Sequence, residues 1–309
     1  MPPTPPTSPA DPAPSRDPVI LEVAVNGTTQ PARNPNVPRT PAEIAAEMIR
    51  CIEAGATILH NHNDDPIFDG LTASHEAAPY IEAWGPVLEA HPDVFLYPTM
   101  TGGGSHTTIE QRYGHIPEIA AAGLLRMGLV DPGSVNLGIF EGDGAPDASE
   151  MIYLNSNADI RHMVDTSSAL GLPMSFSIFD GSFMRTAVAY AQSGRVKNGG
   201  IIKLYFGSSF APFGLPATEA ALMAYLDILG DCPLPWSVAV LGGDVLKTEM
   251  ARIALEHGGH LRVGLEDYAG PGQPSNTELI ERAKALCKEV GRPIATPSEA
   301  ALQIRSAVA

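Results

Sequence analysis

The sequence predicts an α/β fold of the TIM (β/α)8 barrel type, on three observations. Runs rich in β-branched residues alternate with runs of helical periodicity from Pro18 onward. Eight such strand–helix pairs can be counted, the number that closes a parallel barrel. The first strand leads into NGTTQP rather than a GxGxxG turn, which argues against an open, doubly wound dinucleotide-binding sheet.

Each element has its own signal. VILEVAVNG (19–27) reads as the first strand, ending at Asn26-Gly27. TPAEIAAEMIRCIEAG (40–55) reads as the first helix, with Thr40 as N-cap, Pro41 at the first helical position and Gly55 as stop. Ile44, Met48, Ile49 and Ile52 mark its apolar face. Further strands are ATILHNH (56–62), DVFLYPTM (93–100), LLRMGLV (124–130) and MSFSIFD (174–180). The last three are IIKLYFG (201–207), WSVAVLG (236–242) and HLRVGLED (260–267). Helices are expected near 72–90, 108–122, 157–170 and 182–194, and over 217–229, 245–258 and 276–291. Residues 1–17 read as a disordered, Pro-rich arm, and residues 18–309 as one catalytic barrel domain.

Composition narrows the function. The chain carries 35 acidic and 19 basic residues, a net charge of −16 that argues against nucleic-acid binding. No apolar run reaches the ~18 residues of a membrane span. The arm lacks the apolar core of a secretory signal, and Cys51, Cys232 and Cys287 show no CxxC spacing, so a reducing, cytoplasmic setting is expected.

The chemistry concentrates at strand ends. In TILHNHNDD (57–65), residues two apart on a strand share a side, so His60 and His62 project together and Asn61 faces away. That suits one metal ion, or only a polar strand end. Placed at the C-terminal end of the second barrel strand, where sites of this fold lie, the pair gains weight as a metal site. RVGLED (262–267) closes the eighth strand, which flanks strand one on the side opposite strand two. Glu266 could complete a three-ligand zinc set whose open position polarises a carbonyl oxygen. Asp267 is then a candidate general base and Arg262 a clamp for a substrate carboxylate. An Arg–carboxylate pair that merely closes the barrel fits the same spacing.

These residues carry a resemblance. AVNG (24–27), the run from Thr40 through Asp65, TGGG (101–104), PGSVNLG (132–138), WSVAVLGG (236–243), GGHLRVGLEDY (258–268) and GRPIATPSEA (291–300) resemble the β-keto acid cleavage enzymes. The resemblance implies a TIM barrel with zinc on His60, His62 and Glu266, Arg262 on the substrate carboxylate and Asp267 as base. It implies cleavage of a β-keto acid with acetyl-CoA as co-substrate, giving acetoacetate and a new acyl-CoA, in a homo-oligomer. Where a family member acting on an amine-bearing substrate has serine before TGG, this chain has Met100; a threonine is replaced by Leu129 and a glutamate by Ser177. An acid after the first strand falls near Thr29. A β-keto acid without a cationic tail is therefore expected. GGD (242–244) stands where an arginine is usual, which leaves the CoA phosphates without an assigned partner.

Among smaller candidates, Thr101, Gly102 and Gly103 could bring backbone N–H groups to a carboxylate or oxyanion. Asn26 could donate to the substrate oxygen or cap its turn. Asp64 and Asp65 could orient the histidines or be solvated. His106, His115 and His257 are expected at the surface, and Lys203 in a structural ion pair rather than a Schiff base. Rival readings are an amidohydrolase-like zinc hydrolase, a metal-dependent aldolase or lyase working without CoA, and a barrel that binds a carboxylate without chemistry. The strand ends IFDG and YFGSS lack the later histidines that the hydrolase needs.

Overall fold

A computed structural model describes residues 17–65, 75–102, 107–208 and 212–306. All of the arm but Asp17 therefore lies outside the described residues.

The chain opens with β1 (Leu21–Ala24) and α1 (Pro41–Ala54), then β2 (Ile58–Asn61), α2 (Ala78–Ala90) and β3 (Phe95–Pro98). The first helix starts where the sequence places it. Thr40 accepts from the Glu43 N–H while Glu43 accepts from the Thr40 N–H, a reciprocal cap that satisfies two orphan donors. The third unit holds α3 (Ile109–Tyr113) and α4 (His115–Ala121), a helix expected as one piece but broken at Gly114. Next come β4 (Gly128–Val130), an unforeseen antiparallel hairpin of β5 (Val135–Asn136) and β6 (Ile152–Tyr153), and α5 (Asn157–Ala169). The remainder is β7 (Met174–Ile178), α6 (Gly181–Gln192), β8 (Gly200–Gly207), α7 (Glu219–Leu229), β9 (Trp236–Leu241), α8 (Glu249–Glu256), β10 (His260–Val263), α9 (Asn276–Val290) and α10 (Pro297–Ser306).

Eight parallel strands run in the order β3-β2-β1-β10-β9-β8-β7-β4. The last seam, between β3 and β4, is spanned by the Arg126 N–H donating to the Leu96 carbonyl at 3.3 Å. The sheet thus curls into a TIM barrel. The strands are buried along nearly their whole length, since helices cover one face and the barrel interior the other. That is why they read as continuous apolar runs instead of alternating ones.

At the end of the barrel where residues 17–19 meet residues 294–303, Val19 bridges Ile294 in parallel, and Gln303 Nε2 donates to the Pro18 carbonyl at 3.0 Å. Arg292 locks this end, donating to the carbonyls of Asp17 (3.0 Å), Leu255 (2.8 Å) and Gly259 (2.6 Å).

The barrel interior is polar at its middle. Glu22, Lys203 and Arg262 are each 1 % exposed, on β1, β8 and β10. Tyr97 of β3 joins them: its hydroxyl donates to Glu22 and accepts from Lys203 Nζ (2.6 Å) and Arg262 Nη1 (2.8 Å). Burial alone would raise the Glu22 carboxyl, but Lys203 and Arg262 outweigh it and hold it below the usual carboxylate range.

Candidate active site

β2 carries His60 at its end, His62 follows two residues on, and both imidazoles turn into the barrel. Asn61 faces away, where its Oδ1 accepts from Trp84 Nε1 at 2.8 Å. Glu266 comes from the segment after β10 and meets both rings, its Oε2 lying 3.2 Å from His60 Nε2 and its Oε1 3.5 Å from His62 Nε2. One donor atom from each of the three lies within 4.8 Å of the others. His60 Nδ1 faces the Tyr97 carbonyl at 3.1 Å, so Nδ1 carries the proton and Nε2 offers a lone pair to the cluster. Burial pushes the His60 pKa down to about 4 against the pull of Glu266, which keeps the ring neutral at neutral pH.

Gly27 allows this approach. Its φ is +53°, and a Cβ there would stand 2.3 Å from Glu266 Cγ. Gly27→Ala is therefore expected to displace Glu266 in addition to a backbone cost of about 1 kcal/mol. Metal affinity should fall at least tenfold while the circular dichroism spectrum stays native; unchanged affinity would show that Glu266 is not a ligand.

Arg262 stands behind the cluster with four hydrogen bonds and an ion pair to Glu266. Nε and Nη2 grip the two oxygens of Asp267 at 2.8 and 3.1 Å, and Nη2 also reaches Glu266 Oε1 at 2.9 Å. Nη1 takes Glu22 Oε1 at 2.7 Å and the Tyr97 hydroxyl at 2.8 Å. The strand expected over 260–267 stops at Val263. Gly264, at φ +136°, turns the chain, so Glu266 and Asp267 both come back to the same guanidinium. Burial would raise Glu266, yet Arg262 and the two histidines hold it well below the usual range. For Asp267 burial wins over Arg262, and its pKa is raised.

These groups open into a cavity of about 790 Å³, a size suited to a small substrate and the end of a cofactor arm. Met100, Leu129 and Ser177 line it, as do Thr29, Asp131, Tyr153, Lys203 and Tyr205.

Other expected site residues take different places. Asn26 is not on the cavity wall; its amide holds the His62 backbone, with Oδ1 accepting from the His62 N–H (2.9 Å) and Nδ2 donating to the His62 carbonyl (2.9 Å). Thr101 is buried, its carbonyl accepting from Arg112 Nη1 at 3.3 Å, and the Gly102 carbonyl accepts from the Leu154 N–H at 2.9 Å. Gly103 and His106 lie outside the described residues. Asp64 pairs with Arg39 and is exposed; Asp65 accepts from Asn63 and from the Glu76 N–H, so neither orients the histidines. His115 is buried instead of exposed, its Nε2 at 2.8 Å from the Thr99 carbonyl, because α4 turns its first residue toward β3. His257 is half-buried.

Sequence reasoning missed Glu22, Tyr97, Asp131 and Tyr205. Glu22 carried a usable signal, an acid inside the apolar run VILEVAV that had to find a cation.

Known proteins resemble this chain along nearly its whole length. A family model described as beta-keto acid cleavage enzyme matches residues 18–304. The chain is 30% identical to the 3-keto-5-aminohexanoate cleavage enzyme of Acetoanaerobium sticklandii over 290 residues, 91% of this chain and 96% of that one. It is 31% identical to the 3-oxoadipate:acetyl-CoA acetyltransferase of Cupriavidus necator over 298 residues, 92% of this chain and 93% of that one. Among solved structures, the ternary complex of ObcA with a C4-CoA adduct and oxalate superposes with a TM-score of 0.64 at 16% identity, over 87% of this chain and 67% of that one, a shared fold.

Proposed function

The chain belongs to the β-keto acid cleavage enzyme family, and from that premise we propose a zinc-dependent acyltransferase that converts a β-keto acid and acetyl-CoA into acetoacetate and a new acyl-CoA. The observation that carries this reading is the convergence of His60, His62 and Glu266 beside Asp267 at one cavity.

The donor set fits zinc. Two imidazoles and a carboxylate make a three-donor set, and the buried Glu266 Oε2 has no hydrogen-bond partner among the described residues although it lies 3.2 Å from His60 Nε2. Zinc bound there supplies a Lewis acid for the charge that develops on the substrate's keto oxygen.

Asp267 removes a proton from the carbon between the keto and carboxylate groups; its raised pKa makes it a stronger base than a surface aspartate. The resulting carbanion attacks the acetyl thioester and expels the CoA thiolate. The thiolate then adds to the original ketone, the bond between the second and third carbons breaks, and Asp267 returns its proton to the departing acetoacetate. Arg262 positions Asp267 and Glu266 through three contacts; for it to clamp a substrate carboxylate as well, one of those N–H groups must change partner. Met100, Leu129 and Ser177 bound a tail without positive charge.

For the CoA phosphates, Arg33 is available at the rim. It is exposed, lines the cavity, and its guanidinium contacts no described residue. Arg33→Ala should raise KM for acetyl-CoA about tenfold and leave KM for acetyl-pantetheine, which lacks the nucleotide phosphates, unchanged. An equal rise with both thioesters would remove Arg33 from this role.

Three buried free cysteines suit a reducing, cytoplasmic setting. Ile139, Phe140, Met151, Ile152 and Leu154 are large, partly exposed and gathered on the β5–β6 excursion, which supports a homo-oligomer.

The deciding experiment assays acetoacetate from zinc-loaded protein and a panel of β-keto acids, with and without acetyl-CoA. Product that requires acetyl-CoA supports the acyl transfer. Turnover in its absence points to a lyase or hydrolase.

A further inference from the structure

Glu22 is a buried carboxylate for which the proposed reaction has no use. It does not line the cavity, and neither does Arg262, whereas Asp267 and Glu266 do. Sheet register joins the two: β1 pairs with β10 so that Glu22 stands opposite Arg262. Glu22 Oε1 takes Arg262 Nη1 at 2.7 Å, and the Tyr97 hydroxyl takes the same nitrogen at 2.8 Å.

The guanidinium therefore joins two parts of the molecule that differ in kind. Nη1 is tied to a barrel strand, while Nε and Nη2 reach Asp267 and Glu266 on the turn that Gly264 makes after β10. A planar fork anchored on both sides cannot pivot, so the Asp267 carboxylate is presented to the cavity at a fixed angle.

Stability does not require this arrangement. Burying an acid and two cations carries a desolvation cost that apolar side chains of similar size would avoid. Glu22 Oε2 has no hydrogen-bond partner among the described residues, so all of the contacts of this carboxylate run through Oε1. Arg262 alone would face three carboxylates, Glu22, Glu266 and Asp267, with a single charge. Lys203, 3.7 Å from Glu22 Oε1 and bonded to the Tyr97 hydroxyl at 2.6 Å, supplies a second one. Burial would favour the acid form of Glu22, but Lys203 and Arg262 keep it ionised.

We propose that Glu22, charge-balanced by Lys203, is a positioning residue that holds Arg262 so that Nε and Nη2 fix Asp267 at the cavity. The proposal rests on the β-keto acid cleavage reading above, in which Asp267 takes the proton.

The test removes both interior charges together. Glu22→Met/Lys203→Met leaves neither ion without its partner and should keep a Tm close to that of the wild type. Its kcat and its exchange of substrate C2 hydrogens for deuterium should fall roughly 10- to 100-fold, with KM for the β-keto acid and metal content unchanged. Glu22→Gln/Lys203→Met restores an oxygen for Nη1 and should regain most of the lost kcat. A purely structural ion pair gives a different split: the doubly neutral variant would be stable and fully active. That result, or a loss that the glutamine variant does not recover, overturns the proposal. Should the doubly neutral variant not fold, Glu22→Asp keeps both charges and withdraws the oxygen by one methylene. It should show the same fall in kcat, and wild-type kcat in it would overturn the assignment equally.

A second readout needs no turnover. The Arg262 Nε–H, clamped on Asp267, should give an NMR signal protected from solvent exchange, assigned by its loss in Arg262→Lys. Protection should drop at least tenfold when Glu22 is replaced by Met with Lys203→Met, and unchanged protection would remove Glu22 as the anchor. No acetoacetate from the wild type, with protection lost in the variant, would sink the reaction and leave the anchor. Acetoacetate from both proteins at equal rates, with protection intact, would do the reverse.

Discussion

On the proposed zinc reading, His62→Ala should fail to retain zinc and lose about 10³-fold or more of kcat. Catalytic zinc sites use three protein ligands, and His60, His62 and Glu266 are the one such group among the described residues. Asn26 holds the His62 backbone from both sides, so removal of the imidazole leaves the chain in place and vacates only the ligand position. What the proposed mechanism would then lack is a Lewis acid for the enolate charge, a contribution of several kcal/mol. The measurement is metal content after dialysis alongside acetoacetate formation, with His115→Ala as the comparison. His115 is also buried, but it lies on the Thr99 carbonyl and should keep its metal. Full turnover by a metal-free His62 variant would end the zinc reading.

Asp267→Asn should leave metal binding intact and lose kcat by about 10³-fold, because proton abstraction is the step the proposed reaction assigns to it. Asparagine preserves the side chain's shape and one acceptor toward Arg262, so the guanidinium keeps its other contacts to Glu22, Tyr97 and Glu266. The direct observable is exchange of the substrate's C2 hydrogens for deuterium without acetyl-CoA. The wild type should exchange them and the variant should not; rapid exchange by the variant would assign the base elsewhere. The pH dependence follows in sign. The working form is the carboxylate, burial raises its pKa, and kcat/KM should therefore fall as pH drops through that raised value. The residual activity of the variant should lack that acid limb.

The legible parts of this molecule are those set by local chemistry. Burial on both faces turned each barrel strand into a run of β-branched residues, and the Thr40–Glu43 cap marked the first helix to the residue. The pairing of His60 with His62 followed from strand periodicity alone. The hairpin of β5 and β6 was hidden because its strands are two residues each inside a Gly- and Asp-rich stretch. The strand expected over 260–267 ends at Val263, because one glycine with positive φ turns the chain there. The interior network was hardest to foresee: Glu22, Tyr97, Lys203 and Arg262 come from four strands, with Glu22 and its partner 240 positions apart. Each looks like an isolated polar intrusion until the barrel closes. Lys203, expected as one half of a structural ion pair, forms that pair with Glu22 at 3.7 Å inside the barrel.

The join between Val19 and Ile294 has a consequence for how the chain can be ordered. A closed ring of strands has no intrinsic first member, and here residues 17–19 already lie against 294 and 303 on the face away from the cavity. A circular permutant, with residue 306 linked to residue 17 and a new opening among the exposed residues 142–144, would retain every strand pair and every catalytic group. The architecture is cyclic, and the point at which synthesis enters it is a matter of genetics more than of physics.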